Sequence, residues 1–175
     1  NIHRHPLLGR TFEYFSEDPV VSGKVTAALV NGIQSNGVGA TLKHFAFNNQ
    51  ETNRGNNNAK MSDRTAREIY LKGFEIAVKE SNPWAIMTSY NRINGVHTAE
   101  SYPLLEGILR GEWKFEGAVM TDWGGGKDAV AMVKAGNDLL MPGNARQRQA
   151  IIDAVNNGTL DIADVDRNVK RILQL

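Results

Sequence analysis

Apolar positions along this chain of 175 residues fall into alternating rhythms of helix and strand. Asp18-Pro19 reads as an N-cap followed by a proline at the first helical position. Val21, Val25, Ala28 and Leu29 then recur at helical spacing, which predicts a helix that fades near Gly37. Residues 38–45 (VGATLKHF) read as a strand ending in charge, and residues 46–61 as an Asn-rich polar loop too long for a mere connector. Ser62 reads as the next N-cap, opening a helix from Asp63 to Glu80 with Ala66, Ile69, Tyr70, Phe74, Ala77 and Val78 near one face. A second strand covers 85–90 (AIMTSY), a short helix runs from Pro103 to Trp113, and a third strand from Gly117 to Thr121. A helix from Lys127 to Ala135 leads to a short fourth strand, Leu139 to Met141, and two helices over 145–156 and 161–174 close the pattern.

Strands separated by helices of ten or more residues imply an α/β fold with parallel pairing. Parallel strands are buried on both faces, which matches near-continuous apolar runs such as GAVMT. Two architectures compete, an open doubly wound sheet and a (β/α) barrel of TIM type. No glycine-rich phosphate loop follows the first strand, which weakens a nucleotide-binding sheet, and no cofactor is expected. A complete eight-stranded barrel takes about 250 residues, so four strands amount to an open sheet or about half a barrel.

Composition narrows the class further. Hydrophobic content of 41% with 22% charged residues fits a globular domain, not a disordered one. A formal net charge of +1 gives no bulk case for nucleic acid or an anionic membrane, and no apolar run approaches the roughly 18–20 residues of a membrane span. The chain lacks cysteine, which excludes disulfides and thiolate chemistry. It opens on Asn1-Ile2-His3 without an initiator Met, as a processed product or a piece of something longer would.

Chemistry gathers at the strand ends: Lys43-His44 on the first, Ser89-Tyr90-Asn91 on the second, Asp122-Trp123 on the third. Sites in both parallel architectures form at the carboxyl ends of strands, so these groups should converge although about 80 positions separate them. Taken alone, Asp122 reads as a nucleophile, a base, a metal ligand, or an N-cap for the helix near Lys127. Lys43-His44 reads as a pair of donors for hydroxyls or carboxylates, or as a plain surface pair. A metal site is not expected, because no carboxylate spacing completes a zinc set around the histidines. Trp123, Tyr90 and Trp84 suit an apolar platform under a sugar ring, with helix-end packing the plainer role for Trp84. Carboxylate, Lys, His, Arg and aromatics without a cofactor loop favour a polyhydroxylated substrate over a phosphorylated one.

Four stretches in order carry a family resemblance: NIHRHPLLGRTFEYFSEDP (1–19), LKHFAFNNQETNR (42–54), IMTSYNRINGV (86–96) and GAVMTDW (117–123). Together they resemble glycoside hydrolase family 3, the β-glucosidase group, over nearly the whole chain. The resemblance implies a barrel related to the TIM barrel, followed in the family by an α/β sandwich domain. It implies retaining hydrolysis of terminal β-linked glucosyl residues, with a carboxylate nucleophile and a separate carboxylic acid that protonates the leaving oxygen. It places the nucleophile at Asp122 and the sugar contacts at Arg10, Lys43, His44, Met87, Tyr90 and Trp123. Arg10 has a rival role, clamping Glu13 or Glu17, and Glu51 with Arg54 reads as a structural ion pair under the loop. The loop FAFNNQETNR lacks the histidine that the N-acetylglucosaminidase branch uses, which favours the β-glucosidase or β-xylosidase branch.

The resemblance covers the C-terminal half of the family's barrel domain, so the acid/base carboxylate is expected outside this chain. Expected partners are a β-glucoside or short β-linked oligosaccharide, and a complementary barrel half, second domain or second copy that covers the open sheet edges. The competing readings are a sugar-binding piece without turnover and, more remotely, a barrel aldolase or isomerase with Lys43 as Schiff base.

Overall fold

A computed structural model describes residues 1–175. Two 3-10 turns, Pro6–Leu8 and Thr11–Glu13, precede α1 (Pro19–Gln34), whose N-cap Asp18 accepts from the Val20 and Val21 amides as the sequence predicts. Strand β1 (Thr41–Phe45) follows, then a 3-10 turn and the two-residue β2 (Asn58–Ala59) inside the polar loop. Ser62 caps α2 (Asp63–Thr65), which passes through a π-helical turn, Ala66–Tyr70, into α3 (Lys72–Ser81). Next come β3 (Ala85–Thr88), the hairpin strands β4 (Arg92–Ile93) and β5 (Val96–His97), and a π-helical segment Pro103–Glu112. Strand β6 (Ala118–Thr121), α4 (Ala129–Lys134), α5 (Ala145–Asn156) and α6 (Ile162–Leu173) complete the chain.

The main sheet has the order β1-β3-β6, all parallel, with Thr41 opposite Ala85, and Ile86 opposite Val119. The expected fourth strand is reduced to a single parallel bridge between Met120 and Leu139. Leu42, Ile86 and Val119 point to one side, where they join Val30 of α1, Phe74 of α3 and Leu105 and Leu109 of the π-helical segment in one buried cluster. Phe45 anchors this layer by edge-on contacts with Phe74 and Trp113, at ring-centroid distances of 5.1 and 5.9 Å. These helices cover one side of the sheet. The other side carries Met87 and Met120, paired in register and partly exposed. One-sided coverage disfavours the doubly wound arrangement, which needs helices on both faces. These residues form an open sheet, not a closed barrel.

The missed elements share one cause. Short-range hydrogen bonding, not hydrophobic periodicity, makes the β4-β5 hairpin: its turn is Asn94-Gly95, with φ of +46° and +100°. Both central residues of a type I′ turn need φ > 0, which Asn and Gly tolerate. Trp84 lies at the start of β3, away from the strand ends, with its indole against Gly39, where a Cβ would sit 2.5 Å from Cε3. It is a packing residue and not part of an aromatic platform with Tyr90 and Trp123.

The segment after α4 is tied to β6 by Asp138, whose side chain is fully buried. Its Oδ2 accepts from the Val119 amide and from Arg110 Nη2, both at 2.7 Å, while Oδ1 lies 3.4 Å from Arg171 Nη1. Burial pushes the Asp138 pKa up and that of Arg110 down to about 10, so pairing only partly offsets desolvation. Removing one partner of such a pair leaves the other charge uncompensated. We expect Asp138→Ala to lower the unfolding free energy by about 3–5 kcal/mol, measured by urea denaturation. A loss within about 0.5 kcal/mol would mean that the pair does not hold this segment.

Candidate active site

The site sits where the three parallel strands end. Phe45, Thr88 and Thr121 lie at one level, since Phe45 pairs with Thr88, and Thr88 with Thr121. Side chains alternate along a strand, so Asp122 continues the Ala118-Met120 face, away from the helix-packed core. Between Leu42 and Phe45 the register of β1 slips by one residue, a bulge that places Lys43 and His44 at the rim. The Lys43–His44 and Phe45–Ala46 peptide bonds are cis.

His44 is the hinge of the polar contacts. It is 4% exposed, with Nε2 3.5 Å from Asp122 Oδ2 and 3.4 Å from Arg10 Nη1. Burial, then the nearby Arg10 and Lys43 cations, lower its pKa from 6.5 to about 3, so a neutral imidazole stands between a cation and a carboxylate. Lys43, by contrast, is half exposed, so the surface-pair reading fails for one member only. Asp122 does not cap α4: Asp128 does, accepting from the Val130 and Ala131 amides. One oxygen of Asp122 instead accepts from the Trp123 amide at 2.7 Å, and the other faces His44.

Arg10 fills both of the roles that the sequence set against each other. Its Nε pairs with Glu13, and its Nη1 reaches His44 and lies 4.0 Å from Glu51. Glu13 opposes the burial of the Arg10 cation and pushes its pKa up. Glu51 accepts from Arg54 at 2.6 Å and from Asn48 at 2.8 Å, as the structural-pair reading requires. Arg54 continues the contact by stacking on the Tyr90 ring, 4.5 Å from its centroid. The Tyr90 hydroxyl donates to the Trp123 carbonyl at 2.7 Å, and burial together with the Asp122 carboxylate pushes its pKa up. Trp123 presents its ring to solvent, 64% exposed. Met87 lies in register with Met120, two residues before Asp122 on the same face. Arg10, Lys43, His44, Tyr90, Trp123 and Asp122 thus belong to one contact network, with Met87 beneath it.

Glu13 was missing from the expected site, although its i,i+3 spacing from Arg10 was the available signal. A cavity of about 530 Å³ lies elsewhere, between α4, α5 and α6, with Val133, Leu139, Ile151 and Val169 in its wall. It carries none of the predicted site residues.

Comparison with known proteins fits this arrangement. The profile of the glycosyl hydrolase family 3 N-terminal domain matches residues 1–175. Beta-glucosidase B of Emericella nidulans is 49% identical over 176 residues, covering 99% of this chain and 21% of that protein. An exo-alpha-(1->6)-L-arabinopyranosidase of Bifidobacterium longum is 50% identical over 175 residues, covering the whole chain and 23% of that protein. The structure of beta-glucosidase 3B from Thermotoga neapolitana in complex with glycerol superposes with a TM-score of 0.97 at 50% identity, over 99% of this chain and 26% of that one. The chain therefore spans about a fifth to a quarter of the length of these relatives. It belongs to glycosyl hydrolase family 3.

The buried imidazole sets a pH dependence. The folded protein holds His44 neutral down to about pH 3, whereas the unfolded chain takes up the proton near pH 6.5. The resulting stability is complete above pH 6.5 and is lost as pH falls toward 3, at up to about 1.4 kcal/mol per pH unit. Between pH 7 and 4.5 we expect the stability difference between wild type and His44→Gln to narrow by about 2–3 kcal/mol, read by chemical denaturation. An imidazole that titrates near pH 6.5 by NMR in the folded chain would contradict this.

Proposed function

We propose that this chain, as the later half of a TIM-type (β/α) barrel domain spanning residues 1–175, carries the nucleophile side of a retaining, exo-acting β-glucosidase site. Family membership supports the reaction class, and the environment of Asp122 supports the assignment within it. The observation that carries the reading is Asp122 at the carboxyl end of the parallel strand β6, with one oxygen turned toward a neutral His44 and a basic rim. A carboxylate so placed attacks the anomeric carbon and forms a covalent glycosyl intermediate that water later hydrolyses. Arg10, Lys43 and His44 supply hydroxyl contacts, which strengthen as positive charge develops on the ring. Tyr90 holds the backbone beside the nucleophile through the Trp123 carbonyl, Trp123 offers its indole to the sugar, and Met87 floors the pocket.

Retention needs a second carboxyl group about 5–5.5 Å from the first. Glu51 is engaged by Arg54 and Asn48, and Glu100 accepts from the Lys127 and Asp128 amides. Glu116 precedes β6, at the end of the strand opposite Asp122. None is free for the acid role, which we assign to another part of a longer protein of the kind seen in the relatives. The open sheet edges dock against that protein's remaining strands. Without the acid, the isolated chain binds sugar and forms the intermediate, but turns over slowly.

A substrate with a leaving group that needs no proton isolates the first step. We expect 2,4-dinitrophenyl β-glucoside to give a burst of about one equivalent of dinitrophenolate followed by slow release, and Asp122→Asn to give none. The arabinopyranosidase relative supports a second sugar, so the same experiment with the α-L-arabinopyranoside is the specificity control. A faster burst with the arabinoside would replace glucose as the substrate, and an undiminished burst from Asp122→Asn would remove Asp122 from the reaction.

A further inference from the structure

We propose that Glu13 is the positioning residue of the sugar-hydroxyl contacts: its carboxylate bridges Arg10 and Lys43 and sets the spacing of the donors they leave free. The proposal rests on the reading that these two cations hold sugar hydroxyls. Glu13 Oε1 pairs with Arg10 Nε, and Oε2 lies 3.9 Å from Lys43 Nζ. The turn that carries it, Thr11–Glu13, is pinned by His3, whose Nε2 donates to the Thr11 and Tyr14 carbonyls, each at 2.8 Å. The backbone of the turn is therefore held independently of the cations, and the Glu13 carboxylate it carries faces only Arg10 and Lys43.

A donor count shows what remains for a ligand. Arg10 engages Glu13 through Nε and His44 through Nη1, and its Nη2 makes no hydrogen bond within the chain. Lys43 Nζ has Glu13 as its single carboxylate neighbour, leaving donors of its own free. Guanidinium donors have a fixed fork geometry, so fixing Nε fixes where Nη2 points. An ammonium on four methylenes has no such constraint and is located only by the charge beside it. Glu13 removes that freedom from Lys43 and, through Nε, from Arg10. Glu51 cannot substitute, since it lies 4.0 Å from Arg10 and is already bound by Arg54 and Asn48.

Calorimetric titration of the chain with glucose and its 3-, 4- and 6-deoxy analogues tests this. We expect Glu13→Gln to bind glucose about tenfold more weakly and to lose the preference for glucose over at least one deoxy analogue. Glu13→Asp keeps the charge with a shorter reach, and should give an intermediate preference even if the Gln variant fails to fold. Equal weakening for all four sugars, or unchanged glucose affinity in a folded variant, overturns the positioning role and leaves the sugar site standing. A wild-type chain that binds none of the sugars overturns both.

Discussion

The arrangement depends on the parallel register of β1, β3 and β6. It brings three carboxyl ends to one level, so groups far apart in sequence meet without any loop having to bridge them. The hydrophobic pattern protects that register. Ile86 and Val119 are fully buried on the helix side, and sliding β6 by one residue would bring its other side chains into the core. The direction of Asp122 is therefore fixed by the burial of Val119, three residues earlier. The bulge in β1 is the one departure from regular pairing, and it falls at the two residues with the most polar work to do.

Electrostatics then follows from position. Arg10 and Lys43 bring two positive charges to a rim where Glu13 and Asp122 bring two negative ones, and His44 stays neutral between them. Protonating His44 would add a third cation to a poorly solvated site, so desolvation and the neighbouring charges act in the same direction. The balance leaves Asp122 facing an imidazole and a backbone amide. Arg54 and Tyr90 extend the same contacts to the backbone of Trp123, the residue after Asp122.

Much of this was legible in the sequence because it rests on short-range rules. Asp18-Pro19 and Ser62 open helices where capping chemistry puts them, and the apolar runs at 85–90 and 117–121 hold the strands Ala85–Thr88 and Ala118–Thr121. Convergence of Lys43-His44 with Asp122 followed from parallel pairing alone. The π-helical turns, the reduction of 139–141 to a bridge and the Asn94-Gly95 hairpin were not legible, because hydrogen-bond offsets and local turn chemistry decide them and periodicity does not. The sequence offers the clamp of Arg10 on Glu13 or Glu17 only as a rival to the site role of Arg10. Sequence spacing presents such a pair as alternatives, whereas a guanidinium has enough donors to serve both partners at once.

The central claim, that Asp122 is the nucleophile, is tested most directly by trapping. Incubating the chain with a 2-fluoro-glucoside that bears a very good leaving group, then taking intact and peptide masses, reads the covalent bond itself. A single 2-fluoroglucosyl adduct on the peptide that contains Asp122 is the predicted result. An adduct on another carboxylate, or none from the folded chain, would contradict it.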